Sequence, residues 1–246
     1  MTQAFTGCNY VQSIVSGQVS EFLQGYRGES EAAVNLVLRS RFNQELNKGW
    51  FGAINEVISA VTMLSIILTG AALIREREHG TIEHLLAMPV TPVEIMLSKI
   101  WSMGLVVLVA TTISIVVVVQ GVLHVPVQGS LALFLLGAAL QLFATTCIGI
   151  SLAVVAGSMP QFGMLLILIL LPLQVLSGGM TPRESMPEII QNIMLIAPNT
   201  HFVILAQAVL FRGAGLSVVW PQLLALLTIG CVLFAFSLQR FRTFLR

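Results

Sequence analysis

Four of the chain's eleven acidic residues, Glu76, Glu78, Glu83 and Glu94, fall within residues 75–98, which read REREHGTIEHLLAMPVTPVEIMLS. Arg75, Arg77 and Lys99 stand among them or beside them. Alternating signs at this density suit ion pairing and the capture of a soluble partner's surface. Metal chemistry fits poorly. His84 comes five residues after His79, off a shared helical face, and only Glu83 stands nearby as a third donor. The chain has no aspartate and only two lysines, Lys48 and Lys99, neither in a GxxxxGK[ST] loop. No HExxH zinc pair is present. Cys8, Cys147 and Cys231 lie far apart, with no disulfide framework implied. These residues carry no catalytic constellation and bind no cofactor, so a nucleotide would have to be held by another polypeptide.

The surroundings read as membrane. The chain is 56% hydrophobic and 9% charged, with mean hydropathy +0.91, whereas soluble domains carry about 25% charged residues. A lipid bilayer is therefore its first partner. A net charge of +1 gives no reason to expect nucleic acid. Apolar runs at 57–74, 100–123, 131–156, 162–179 and 218–238 are each too long for a buried strand. Helices satisfy their backbone polar groups locally, so the spacing predicts an all-α bundle of five spanning helices over residues 50–246. Trp50 and Phe51 suit the interface before the first span. Residues 1–49 are more polar and lie outside the hydrocarbon layer, with a short strand or helix at Ala33–Phe42.

Charge predicts the topology. With Arg240, Arg242 and Arg246 inside, Arg75, Arg77 and Lys99 are inside too, against only Arg183 and Arg212 in the outer loops. The N-terminal segment then lies outside without a recognisable signal peptide. A preceding helix in a longer protein is the expected explanation. The alternative is that the first helix carries a short tail across.

Residues 75–98 read as a surface elbow beneath the bilayer. Gly80 breaks the first helix and Thr81 starts a short amphipathic helix over Ile82–Met88, whose Ile82, Leu85 and Leu86 face the membrane. Pro89 ends it. Thr91, Pro92 and Glu94 then match a helix start, with cap, first-turn proline and third-position acid. An ordinary solvated turn is the alternative. On the other side, residues 183–211 predict two short interfacial helices separated by Ala197–Thr200, the first started by Thr181, Pro182 and Glu184. Gln120, Gln141, Thr145, Thr146 and Gln174 (with Gln161 at a span's edge) are the polar candidates for lining a route. Gluing helices together is the alternative for each.

The run RERE-HGTIEHLLAMPVTPVEIMLSK resembles the cytoplasmic elbow of ABC-2 type transporter permeases. The match falls at Arg75, Glu76, Glu78, Gly80, Thr81, Glu83, Leu85, Leu86, Pro89 and Lys99. The stretch SGGMTPRESMPEIIQNIMLIAPNTHF resembles the family's outer segment before its last helix. Together the two cover about residues 35–246, and the chain is similar to the bacterial multidrug-like permeases of this family.

The resemblance implies an export-type membrane subunit, multi-pass in the bacterial inner membrane, with six helices and an extracytoplasmic domain after the first. Residues 1–49 look like that domain's remnant. It implies a separate ATP-binding cassette ATPase, which holds ATP and magnesium and docks at Arg75, Glu76, Arg77, Glu78, Gly80, Thr81, Glu83, Leu85, Leu86 and Pro89. It also implies a second permease subunit, identical or related, with a periplasmic adaptor as a further candidate partner. The substrate expected is amphipathic or hydrophobic. A non-transporting scaffold or an inactive permease fragment is the rival reading; a passive channel lacks any charge ring or filter-like motif.

Overall fold

The computed structural model of the chain describes residues 14–15, 18–19, 22, 48–80, 89–125, 127–179, 181 and 185–244. The chain divides into two units, Met1–Asn47 and Lys48–Arg246. In the first, Ile14, Val15, Gln18, Val19 and Phe22 are helical. The element expected at Ala33–Phe42 lies outside the described residues, as do the side chains of Trp50 and Phe51.

Every regular element described in the second unit is helical. In order these are α1 (Lys48–Glu78), α2 (Pro92–Ile113), α3 (Leu131–Val155), α4 (Met159–Leu176), α5 (Glu188–Met194), α6 (Pro198–Arg212) and α7 (Leu216–Phe244). Among the described residues, α1, α2, α3, α4 and α7 are long and apolar enough to cross a membrane. The predicted fold class is thus observed: an all-α membrane bundle with five spanning helices.

The helix limits differ from the apolar runs for identifiable reasons. Helix α1 continues through the charged residues 75–78, because helical geometry at a span's end does not need apolar side chains once it reaches water. It stops at Gly80, whose φ of 70° is left-handed and open to glycine at little cost. Helix α4 lies three residues earlier than its apolar run. Pro160 is tolerated in its first turn, and Ser177–Gly179 form its end rather than its last turn. Helix α2 passes directly into a π-helical segment, Ser114–Val122, which the Val- and Ile-rich sequence does not announce.

Helix α3 is the hub and packs against α1, α2, α6 and α7. Its contact with α1 is close because two glycines meet there. A Cβ on Gly149 would lie 2.8 Å from the Ile66 carbonyl oxygen and 3.4 Å from the Gly70 nitrogen. Small residues at such crossings let backbones approach, which is how helices gain dispersion contact when lipid removes the hydrophobic drive. The core has two apolar clusters. One includes Ile54, Ile58, Val61, Phe134, Leu142 and Phe202; the other includes Ile66, Leu73, Ile74, Met96, Ile150 and Phe162. Along α1, Thr62 and Ser65 fall between Val61 of the first cluster and Ile66 of the second; along α3, Thr145 and Thr146 fall between Leu142 and Cys147.

The short helices α5 and α6 bend by 92° at their junction. Helix α5 begins after Pro187, because a residue preceding proline resists helical backbone. The expected start around Pro182–Glu184 lies outside the described residues. Helix α6 is buried on most sides, with Asn199, Thr200, Phe202, Leu205 and Val209 all enclosed. It therefore enters the bundle as an arm, while α5 keeps Ile189 and Ile193 exposed.

Candidate coupling site and the polar interior

The base of the elbow is built from the last turn of α1. Arg75, Arg77 and Glu78 are exposed and Glu76 is half-buried. Each of the last three reaches a different neighbour. Glu76 Oε1 accepts from Lys99 Nζ in the second turn of α2. Arg77 Nη1 donates to the Ala156 carbonyl at 3.1 Å, at the C-terminal end of α3. Glu78 Oε1 accepts from the Met159 backbone N–H at 3.1 Å, the first residue of α4. The signs obey the helix dipole, with the cation at a C-terminus and the anion at an N-terminus. Glu78 supplies this acceptor where Ser158, the N-cap residue of α4, makes no side-chain capping bond.

Lys99 is the most constrained member. Its side chain is only 13% exposed, against 31% for Glu76. A lysine so enclosed needs a counter-charge, since an unpaired ammonium at that depth is costly. On the solvent side, His79 Nδ1 lies 2.8 Å from the Arg75 carbonyl oxygen, and His79 itself is exposed. Pro89, Val90 and Thr91 are exposed on the return limb. There the anticipated helix start is present as a capping box. The Thr91 N–H donates to Glu94 Oε2 at 2.7 Å, and the Glu94 N–H donates to Thr91 Oγ1 at 3.4 Å. Thr81, Glu83, Leu85 and Leu86, with the short helix expected at Ile82–Met88, lie outside the described residues. No group able to hold a metal ion occurs among the described residues.

The interior polar residues are placed as follows. Gln141, Thr145 and Thr146 of α3 have no exposed surface. Gln141 Nε2 donates to Thr62 Oγ1 at 3.1 Å and lies 3.3 Å from Asn199 Oδ1. Ser65 donates to Thr145 Oγ1 at 2.6 Å, and Thr145 donates to the Gln141 carbonyl at 2.9 Å. Thr146 donates to the Leu142 carbonyl at 2.7 Å. Gln141 and Thr145 tie helices together, Thr146 returns to the backbone of its own helix, and none of the three has exposed surface within this chain. Gln120, in the π-helical segment, and Gln174, near the end of α4, are half-buried. Gln161 caps the preceding turn by accepting from the Gly157 N–H at 2.7 Å.

Sequence reasoning missed Thr62 and Asn199 as partners of Gln141, and Ser65 as the partner of Thr145. Serine and threonine in a span are ordinary, because their hydroxyls return to the helix backbone. Asn199 follows Pro198 and looks like a turn residue. The available signal was an amide just inside an apolar helical stripe, where a partner is obligatory.

The chain's relatives agree with this architecture. It is 60% identical over 242 residues to the inner membrane transport permease YhhJ of Escherichia coli (strain K12), across 98% of this chain and 65% of the relative. It is 30% identical over 224 residues to the probable multidrug ABC transporter permease YbhR of the same strain, across 90% and 59% respectively. For the probable multidrug ABC transporter permease YbhS the identity is 28% over 213 residues, across 83% and 55%. The chain thus spans about two thirds of the length of YhhJ and less of the other two. The family model described as ABC-2 type transporter matches residues 6–211. With that match over most of its length, the chain belongs to the ABC-2 type transporter family.

Proposed function

We propose that this chain is the membrane subunit of an ATP-binding cassette exporter in the bacterial inner membrane. A separate ATPase docks on the elbow between Glu78 and Pro92 and drives it. The observation that carries this reading is the elbow's construction. One spanning helix stops at Gly80 and the next starts at the Thr91–Glu94 box, and the last turn of the first is tied to α3 and α4 through Arg77 and Glu78. A helix end held in this way converts a push into helix tilt, a rigid-body form of alternating exposure. The names of the relatives, a transport permease and two probable multidrug permeases, support the same role.

A second permease subunit completes the assembly. Helix α4 supports this, since only 11% of its spanning window is buried within this chain. Cargo is amphipathic or hydrophobic, and Gln120 and Gln174 are the remaining candidates for polar contact with it. The orientation has the elbow inside and the turn at 124–130 outside.

The test is a photo-reactive residue placed at His79 or at Val90, both exposed. Co-expressed with its ATPase, the chain is expected to cross-link to that subunit from both positions and to co-purify with it. Normal membrane expression with no ATPase recovered and no cross-link would refute the proposal and leave a non-transporting scaffold.

A further inference from the structure

We infer that Glu76, Arg77 and Glu78 are positioning residues rather than the surface the ATPase touches: they form a clasp that passes movement of the elbow to α2, α3 and α4. The inference rests on the coupling reading above and identifies the parts that transmit within it. Three successive residues reach three separate helices: Glu76 to Lys99 of α2, Arg77 to the end of α3, and Glu78 to the first N–H of α4. A docking surface made of solvated charges would have no need of these partners. Nor would it place Lys99, with 13% of its side chain exposed, behind the carboxylate.

The arrangement also explains the alternating signs. Each charge stands where its neighbour has the opposite one: an ammonium, a C-terminal carbonyl, an N-terminal N–H. The Glu76–Lys99 pair is the stronger contact, being partly enclosed; the other two are at the surface and set direction more than strength. The turn Ala156–Met159 is short, so it is held from both sides. Arg77 grips its first residue and Glu78 its last. Any rotation of the last turn of α1 must therefore carry the start of α4 with it. Among the described residues, the exposed rim left for the ATPase includes Arg75, His79, Pro89 and Val90.

Charge reversal separates the two roles. The full chain is expressed with its ATPase in a Cys8→Ser, Cys231→Ser background, and a fluorophore is attached at Pro160→Cys, an exposed site in the first turn of α4. Adding ATP should change the fluorescence. Glu76→Lys and Lys99→Glu, made singly, are expected to reduce that change at least fivefold while ATPase co-purification stays within twofold of the parent. The double swap is expected to restore most of it. Glu78→Gln keeps an acceptor for the Met159 N–H and should retain the signal, whereas Glu78→Ala should lose it. The clasp is overturned if the double swap stays inactive, or if Glu76→Lys and Glu78→Gln release the ATPase. If the parent chain retains no ATPase at all, the coupling reading fails instead. The clasp is then judged on the chain alone, in detergent: both single reversals must lower its melting temperature and the double swap must recover it, and failure to recover overturns it.

Discussion

Thr62 donates its hydroxyl proton to Asn199 Oδ1 at 2.7 Å, fastening the buried arm α6 to α1. Asn199 also donates through Nδ2 to the Leu173 carbonyl of α4 at 2.9 Å and receives Gln141 from α3. One amide thus joins four helices at the level where the two apolar clusters separate.

Replacing that amide is expected to cost more than replacing any single hydroxyl around it. Asn199→Leu leaves the Leu173 carbonyl without its side-chain donor and removes one acceptor from Gln141, at about 1–3 kcal/mol. Thr62→Val removes two bonds, one to Asn199 and one from Gln141, each of the kind worth about 0.6 kcal/mol inside membranes. Thermal unfolding in detergent should rank them in that order, and equal melting points would count against the network.

The α1–α3 crossing predicts a contrast between glycines. Gly149→Ala drives a methyl group toward the Ile66 backbone oxygen, 2.8 Å from the new Cβ, and backbone cannot rotate away. The expected loss is about 1–3 kcal/mol from overpacking. Gly52→Ala meets nothing within 4 Å and should leave melting unchanged or slightly improved. A Gly149→Ala protein that melts like the parent would show that the crossing is looser than the structure has it.

Orientation can be checked with a membrane-impermeant thiol reagent on cells. A cysteine at His79 should label only after the membrane is opened, and one at Gln128, exposed in the turn before α3, should label in intact cells. The reverse pattern would remove the elbow from the ATPase's side of the membrane.

The start of α2 should respond to its capping box. Thr91→Ala removes the acceptor of the Glu94 N–H and one donor to the Glu94 carboxylate. Amide exchange in the first turn of α2 should accelerate several-fold, with little change beyond Ile100. Thr91→Ser keeps the hydroxyl and should restore protection.

What could be read from residue types was local. The break at Gly80 and the cap at Thr91, Pro92 and Glu94 use short-range rules, and they stand where the spacing put them. The five spans followed from composition alone. Partnerships across long stretches of chain were not legible. Glu78 was expected to face a foreign surface, yet its carboxylate holds the N–H of Met159, 81 residues away. Nothing near Glu78 encodes that, because it depends on how the α3–α4 turn lies against α1. Gln141 shows the same limit: an amide in an apolar run needs a partner, whether along a route or between helices, and only the packed helices show that Thr62 and Asn199 meet it.

The widened turns of Ser114–Val122 have a further consequence for α2. The buried residues Val107 and Thr111 of α2 and Ile115 and Val119 of the π-helical segment recur at a strict interval of four. On an ordinary α-helix such a row creeps around the cylinder, because each step overshoots the 3.6-residue turn. A π-helix has more residues per turn, so the same step falls short and the row swings back. The segment therefore works as a vernier: it cancels the drift and leaves one straight seam along the bundle, with the opposite side free for lipid.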